Sequence, residues 1–222
     1  MPHSLLDDPL FRVRGADDLV QTRTLPEVLH RLADEEAPPI VSFEALQPHQ
    51  QQPWHSFLVQ LAAMAVAHGA SEKPGSPDVW RAALLSLAEG TEAAWDLVVE
   101  ALAEPAFLQP PVPEGSLDAA NFKADIPTPD QLDVLITSKD HDVKAVRIAQ
   151  PRPEHWIYAL VTLQTMEGFL GRGNYGIVRM NGGFGNRPMV GLAPDLSWGA
   201  RFRRDLQVLL DARVDLAERY NL

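Results

Sequence analysis

Residues 9–33 read PLFRVRGADDLVQTRTLPEVLHRLA, and within this stretch the apolar spacing changes from alternation to a helical period. Residues 9–14 (PLFRVR) and 20–24 (VQTRT) flank a Gly15-Ala-Asp-Asp turn, the pattern of a short β-hairpin. Thr24-Leu-Pro-Glu27 follows at once. It sets a hydroxyl at an N-cap and a carboxylate three positions later, a capping box. Beyond it Leu25, Val28, Leu29, Leu32 and Ala33 fall on one face of the predicted helix. Strands that run into helices without regular strand–helix alternation predict an α+β protein.

Outward from this stretch the chain is mostly helical. A helix is predicted from near Pro53, with Trp54, Phe57, Leu58, Leu61, Ala62 and Ala65 aligned on a wide apolar face. Ser76-Pro77 supplies an N-cap and a first helical residue for a helix running to Leu87. Residues 91–104 fit either a fourth helix or, around Leu97-Val-Val99, a strand. Six prolines between residues 105 and 129 predict a long irregular connection. An apolar segment at 131–137 leads into a polar loop at 138–144. Residues 153–170 predict a strong helix with Trp156, Ala159, Leu160, Leu163 and Met166 on one stripe. A glycine-rich segment spans 171–187, a strand is expected at 189–192, and a closing helix at 200–220 turns Phe202, Leu206, Leu209 and Leu216 inward. Trp54, Trp80, Trp95 and Trp156 are read as core. There is no internal repeat. The expectation is one helix-rich α+β domain over residues 1–222, with a few short strands and long Pro-rich and Gly-rich loops.

The 222 residues suffice for a substantial core, and 45% hydrophobic with 22% charged residues is ordinary for a globular protein. Asp7 and Asp8 interrupt what would be the apolar part of a leader, and the apolar run at 54–68 is too short and too polar to span a bilayer. The absence of cysteine removes disulfide and thiolate-metal chemistry and suits the cytoplasm. The net charge of −11 is unevenly spread. Residues 1–138 hold seven Lys/Arg against twenty-one Asp/Glu, a net of −14, and residues 139–222 hold twelve against nine, a net of +3. Such asymmetry suits a local polyanion-facing surface on an acidic body, or simply acidic helices at the front.

The chemistry concentrates in residues 171–187, GRGNYGIVRMNGGFGNR. Six glycines, three arginines and three asparagines occur here, with no acid between Glu167 and Asp195. Glycine lets a backbone approach a ligand and exposes its N–H groups, and arginine offers a donor fork for phosphates or base edges. The same composition also fits a tight connection that needs positive φ. Tyr175 can stack on a base or fill a nearby apolar site. Gly171, Gly173 and Gly176 spell G-x-G-x-x-G, yet that fingerprint must follow a strand and open a helix. Here it follows a predicted helix, and Gly182, Gly183 and Gly185 oppose one after it, so a nucleotide-binding enzyme is disfavoured. The seven histidines lack metal-ligand spacing. His141 between Asp140 and Asp142 is read as a solvated turn. No G-x-S-x-G elbow occurs, and no cofactor, metal or catalytic residue is expected.

Several segments resemble, in order, the N-terminal domain of CasA-type large subunits of type I-E CRISPR Cascade complexes. They are SLLDDPLFRVR at 4–14 with LPEVL at 25–29, PAFLQPP at 105–111, TSKDH at 137–141, and QTMEGFLGRGNYG at 164–176 with RMNGG at 179–183. The resemblance implies a non-catalytic subunit at the foot of a guide-RNA complex, beside the 5′ handle of the RNA. Such a subunit inspects the PAM of double-stranded target DNA, largely from the minor groove, contacts other Cascade subunits and helps recruit a helicase-nuclease. By the same resemblance, Gly171, Arg172, Gly173, Asn174, Tyr175, Gly176, Arg179 and Asn181 belong to the PAM loop. Ser138, Lys139, His141 and Lys144 belong to the RNA-handle loop. Family members continue into a duplex wedge and a C-terminal helical bundle that have no counterpart among these residues. The alternative is a scaffold protein whose glycine loop is structural.

Overall fold

The structure, a computed structural model, describes residues 3–69, 74–113, 126–132, 147–166, 191–193 and 195–220. Among them are three short strands, β1 (Phe11–Gly15), β2 (Val20–Arg23) and β3 (Ile40–Phe43). The described residues also form five α-helices: α1 (Leu25–Ala33), α2 (Gln51–Ala67), α3 (Pro77–Leu87), α4 (Pro153–Met166) and α5 (Trp198–Tyr220). Single 3-10 turns occur at Pro48–Gln50, Glu92–Trp95 and Pro129–Leu132. The protein is α+β. The chain forms two compact units, each made of discontinuous segments.

One unit comprises residues 4–44, 55–92 and 192–222. Its sheet is antiparallel in the order β2-β1-β3, with Val13 opposite both Gln21 and Phe43 and a bulge between Arg14 and Gly15. The expected hairpin is present; β3, preceded by Pro38-Pro39, was not anticipated. Alternation along β1 buries Phe11 and Val13, and Ile40 and Phe43 of β3 are buried too. Arg14 crosses to Glu44 in a two-pronged pair at 2.7 and 2.9 Å and also reaches Asp18.

The capping box at Thr24 is complete, with Glu27 N–H donating to the Thr24 hydroxyl and Thr24 N–H to the Glu27 carboxylate. The α1 stripe of Leu25, Val28, Leu29 and Leu32 is buried, and α1 packs on α3 and α5. Ser76 caps α3 as its sequence requires. Trp80 and Leu84 of α3, Leu58 and Ala62 of α2, and Phe202 of α5 complete the core.

The other unit comprises residues 1–3, 45–54 and 93–191. Here α4 packs on the turns at Pro48–Gln50 and Pro129–Leu132, with Trp54 and Tyr158 edge to face at 5.0 Å. Trp95 stacks on Phe107. Residues 91–104 form neither a long helix nor a strand, only the turn ending at Trp95. Their backbone is engaged over longer range instead: Leu97 N–H donates to His3 O, and Asp96 O accepts from Phe107 N–H. These bonds replace a local helical ladder. No α-helix or strand occurs in the described parts of the proline-rich connection.

Three expectations need correction. In α4 the buried residues are Glu154, Ile157, Tyr158, Ala159, Val161, Thr162 and Gln164, so of the expected stripe Ala159 is buried while Trp156, Leu160, Leu163 and Met166 are only half-buried. The helix is apolar on two sides, so periodicity alone did not select the core face, and Trp156 is not a core residue. In α5, Trp198, Phe202 and Leu206 are buried, but Leu209 is half-buried and Leu216 is exposed. Gly191 and Leu192 are irregular rather than a strand, while residues 189–190 lie outside the described residues. No described helix is long and apolar enough to cross a membrane.

Candidate nucleic-acid interface

Every residue expected to touch nucleic acid lies outside the described residues: Gly171, Arg172, Gly173, Asn174, Tyr175, Gly176, Arg179 and Asn181, and likewise Ser138, Lys139, His141 and Lys144. The structure describes the chain that enters and leaves the glycine-rich segment. On the entering side stands α4. Pro153 occupies its first turn, where a missing N–H costs nothing, and Arg152 N–H donates to His155 Nδ1 at 3.0 Å, a back-bond over the helix start. Glu154 is fully buried, and Gln164, also buried, donates to Leu108 O at 3.3 Å. The chain reaches Met166 as regular helix. A helix, not a strand, therefore precedes Gly171-x-Gly-x-x-Gly176, against the requirement of a dinucleotide fold.

On the leaving side Gly191 lies against Gln52; a Cβ there would come 2.8 Å from Gln52 Oε1. Leu192 is 87% exposed, and its carbonyl accepts from Arg204 Nη2 at 2.9 Å. Asp195 accepts from Ser197 N–H, and the Ser197 hydroxyl accepts from Ala200 N–H, which starts α5. The Ser197 contacts hold the Asp195 carboxyl below the usual carboxylate range.

The first turns of α5 carry a cluster without a signature in the sequence. His55 Nε2 lies 2.7 Å from Asp205 Oδ2, and Asp205 Oδ1 accepts from Arg204 Nε at 2.7 Å. The His55 ring sits 6.2 Å from that of Trp198, which meets Phe43 edge to face, and the Arg201 guanidinium lies over Trp198 at 5.3 Å. Burial lowers the pKa of His55 and Arg201. Burial alone would raise the Asp205 carboxyl, but hydrogen bonds from His55 and Arg204 outweigh it and hold it low. With both partners shifted downward, a neutral imidazole donating to a carboxylate is the favoured form of this contact above the ordinary histidine value of 6.5. One hundred and fifty residues separate His55 from Asp205, and no local pattern announces such a pairing.

Among the described residues no three His, Asp or Glu side chains gather as a metal site. An open cavity of about 270 Å³ lies between the end of α2 and α3, lined by Ala65, His68, Val79, Ala82, Ala83 and Ser86. It has no convergent set of reactive groups. Comparison of the chain with protein-family models, curated proteins and solved structures finds no match.

Proposed function

We propose that this chain is a non-catalytic subunit of a type I-E CRISPR RNA-guided surveillance complex, corresponding to the N-terminal domain of its large subunit. In this reading Ser138, Lys139, His141 and Lys144 face the 5′ handle of the guide RNA. Residues 171–181 face the PAM of double-stranded target DNA. The carrying observation is the acid-free run of glycine, arginine and asparagine within an ordered series of segments resembling that family. The charge partition supports it, since the back of the chain is net positive while the whole is acidic. So does the anchoring of the flanks: α4 is regular to Met166, and Arg204 ties Leu192 to α5. A loop that reads a groove needs ends that do not yield when it binds.

The minor groove separates A·T from G·C and little else, which suits a permissive, glycine-lined reader that leaves target identity to guide pairing. The working compartment is the cytoplasm, and the partners are guide RNA, duplex target, other Cascade subunits and the recruited helicase-nuclease. In an assembled complex, Arg172→Ala and Asn174→Ala should each weaken binding of PAM-bearing duplex by about 1–3 kcal/mol, which is about fivefold to 150-fold, with unchanged melting of the subunit. Equal binding by wild type and both variants would remove the loop from the reading surface.

A further inference from the structure

We propose that His55 is a pH-sensitive clasp: neutral, it fastens α2 to the first half of α5 through Asp205, and on gaining a proton it lets that half of α5 loosen. The geometry leaves His55 one good protonation state. Asp205 accepts from His55 Nε2 on one oxygen and from Arg204 on the other, so Nε2 carries the proton and Nδ1 bears a lone pair. Nδ1 is buried, in a side chain only 6% exposed as a residue, and has no partner among the described residues. A second proton would have to go there. It would create a buried N–H with no acceptor among the described residues, and the added charge would be repelled by the Arg201 guanidinium.

The charged groups facing the imidazole are one acid against two bases, Asp205 against Arg201 and Arg204, all on α5. From Gln51 to Ala67, α2 holds no other ionisable side chain, and β3 (IVSF) holds none; Glu44 beyond it is engaged by Arg14. On α1, Glu27 closes its capping box, His30 lies 4.0 Å from Asp34, and Arg31 feels Arg23, Glu27 and Asp17. On α3, Arg81 is held by Asp7 and Glu92. Burial pushes His55 below its ordinary value of 6.5; Asp205 pulls it back, and the two arginines oppose that pull.

The unfolded chain therefore accepts this proton more readily than the folded one. The clasp is at full strength above pH 6.5 and weakens as pH falls from there toward the lower folded-state value, by at most about tenfold per pH unit for one proton. The Asp205 carboxyl, low in the folded state, loses its own contribution only in the separate window below its ordinary 3.8. Opening would also release the Arg204 tie to Leu192 O.

The test is amide hydrogen-exchange protection along residues 201–206 of the whole chain between pH 7.5 and 5.0, for wild type and His55→Gln. Glutamine keeps an N–H for Asp205 but has nothing to titrate. Wild-type protection should fall by up to tenfold per pH unit below 6.5, with His55→Gln flat and α1 amides unchanged in both. Equal pH slopes in the two proteins would overturn the clasp. If His55→Gln does not fold, nitrogen-15 imidazole spectra of the wild type decide: the Nε2–H tautomer titrating below 6.5 is expected, and titration at or above 6.5 overturns it.

Discussion

Thr24 shows how a single residue is fixed by its neighbours. Its hydroxyl and the Glu27 carboxylate satisfy two orphan N–H groups within four residues of chain, which is why both were legible without any structure. Thr24→Ala should cost about 1 kcal/mol, seen as a lower denaturant midpoint with unchanged slope. Phe202 belongs to the same scale but another logic: its ring is fully buried. Phe202→Ala should cost about 3–5 kcal/mol, because a ring-sized void forms in a packed interior. The position of Phe202 on a core face was readable from spacing. The neighbourhood of Arg201, a buried cation over Trp198, was not, since periodicity assigns a charged residue to solvent by default.

At the scale of elements, spacing established that helices exist and roughly where they run, and left open which side is covered. In α4, Ile157, Tyr158 and Val161 compete with Trp156, Leu160 and Leu163 for the inner face. Burial goes to the first set together with Glu154 and Thr162. Ile157→Ala should therefore cost about 2–5 kcal/mol and Leu160→Ala less than half as much, the reverse of what the sequence stripe implies. The two are compared by thermal or chemical unfolding. In α5, 23 residues extend for about 34 Å, longer than the core beneath it. Past Leu206 the apolar residues are covered at most in part, as at Leu209, and Val208, Val214 and Leu216 are exposed. Replacing exposed Val214 by Lys should accordingly change stability by no more than about 0.5 kcal/mol.

For the molecule as a whole, net charge sets the first expectation. A body at −11 repels phosphates, so the isolated chain should bind duplex DNA weakly and with strong salt dependence, gaining affinity only within an assembly. Tight, salt-insensitive binding by the lone chain in a titration across ionic strength would contradict this. Composition, hydrophobic period, capping chemistry and charge partition are local or additive properties of the chain. They were enough to determine the α+β class, the hairpin, α1, α2, α3 and the location of α4 and α5. The third strand, the covered face of α4 and the His55–Asp205–Arg204 cluster were decided only in three dimensions. Each depends on which distant segment fills the space or supplies the hydrogen-bond partner, a choice made by packing and by the cost of leaving a buried polar group unpaired. Residues 150 positions apart carry no mutual signal until the fold brings them together.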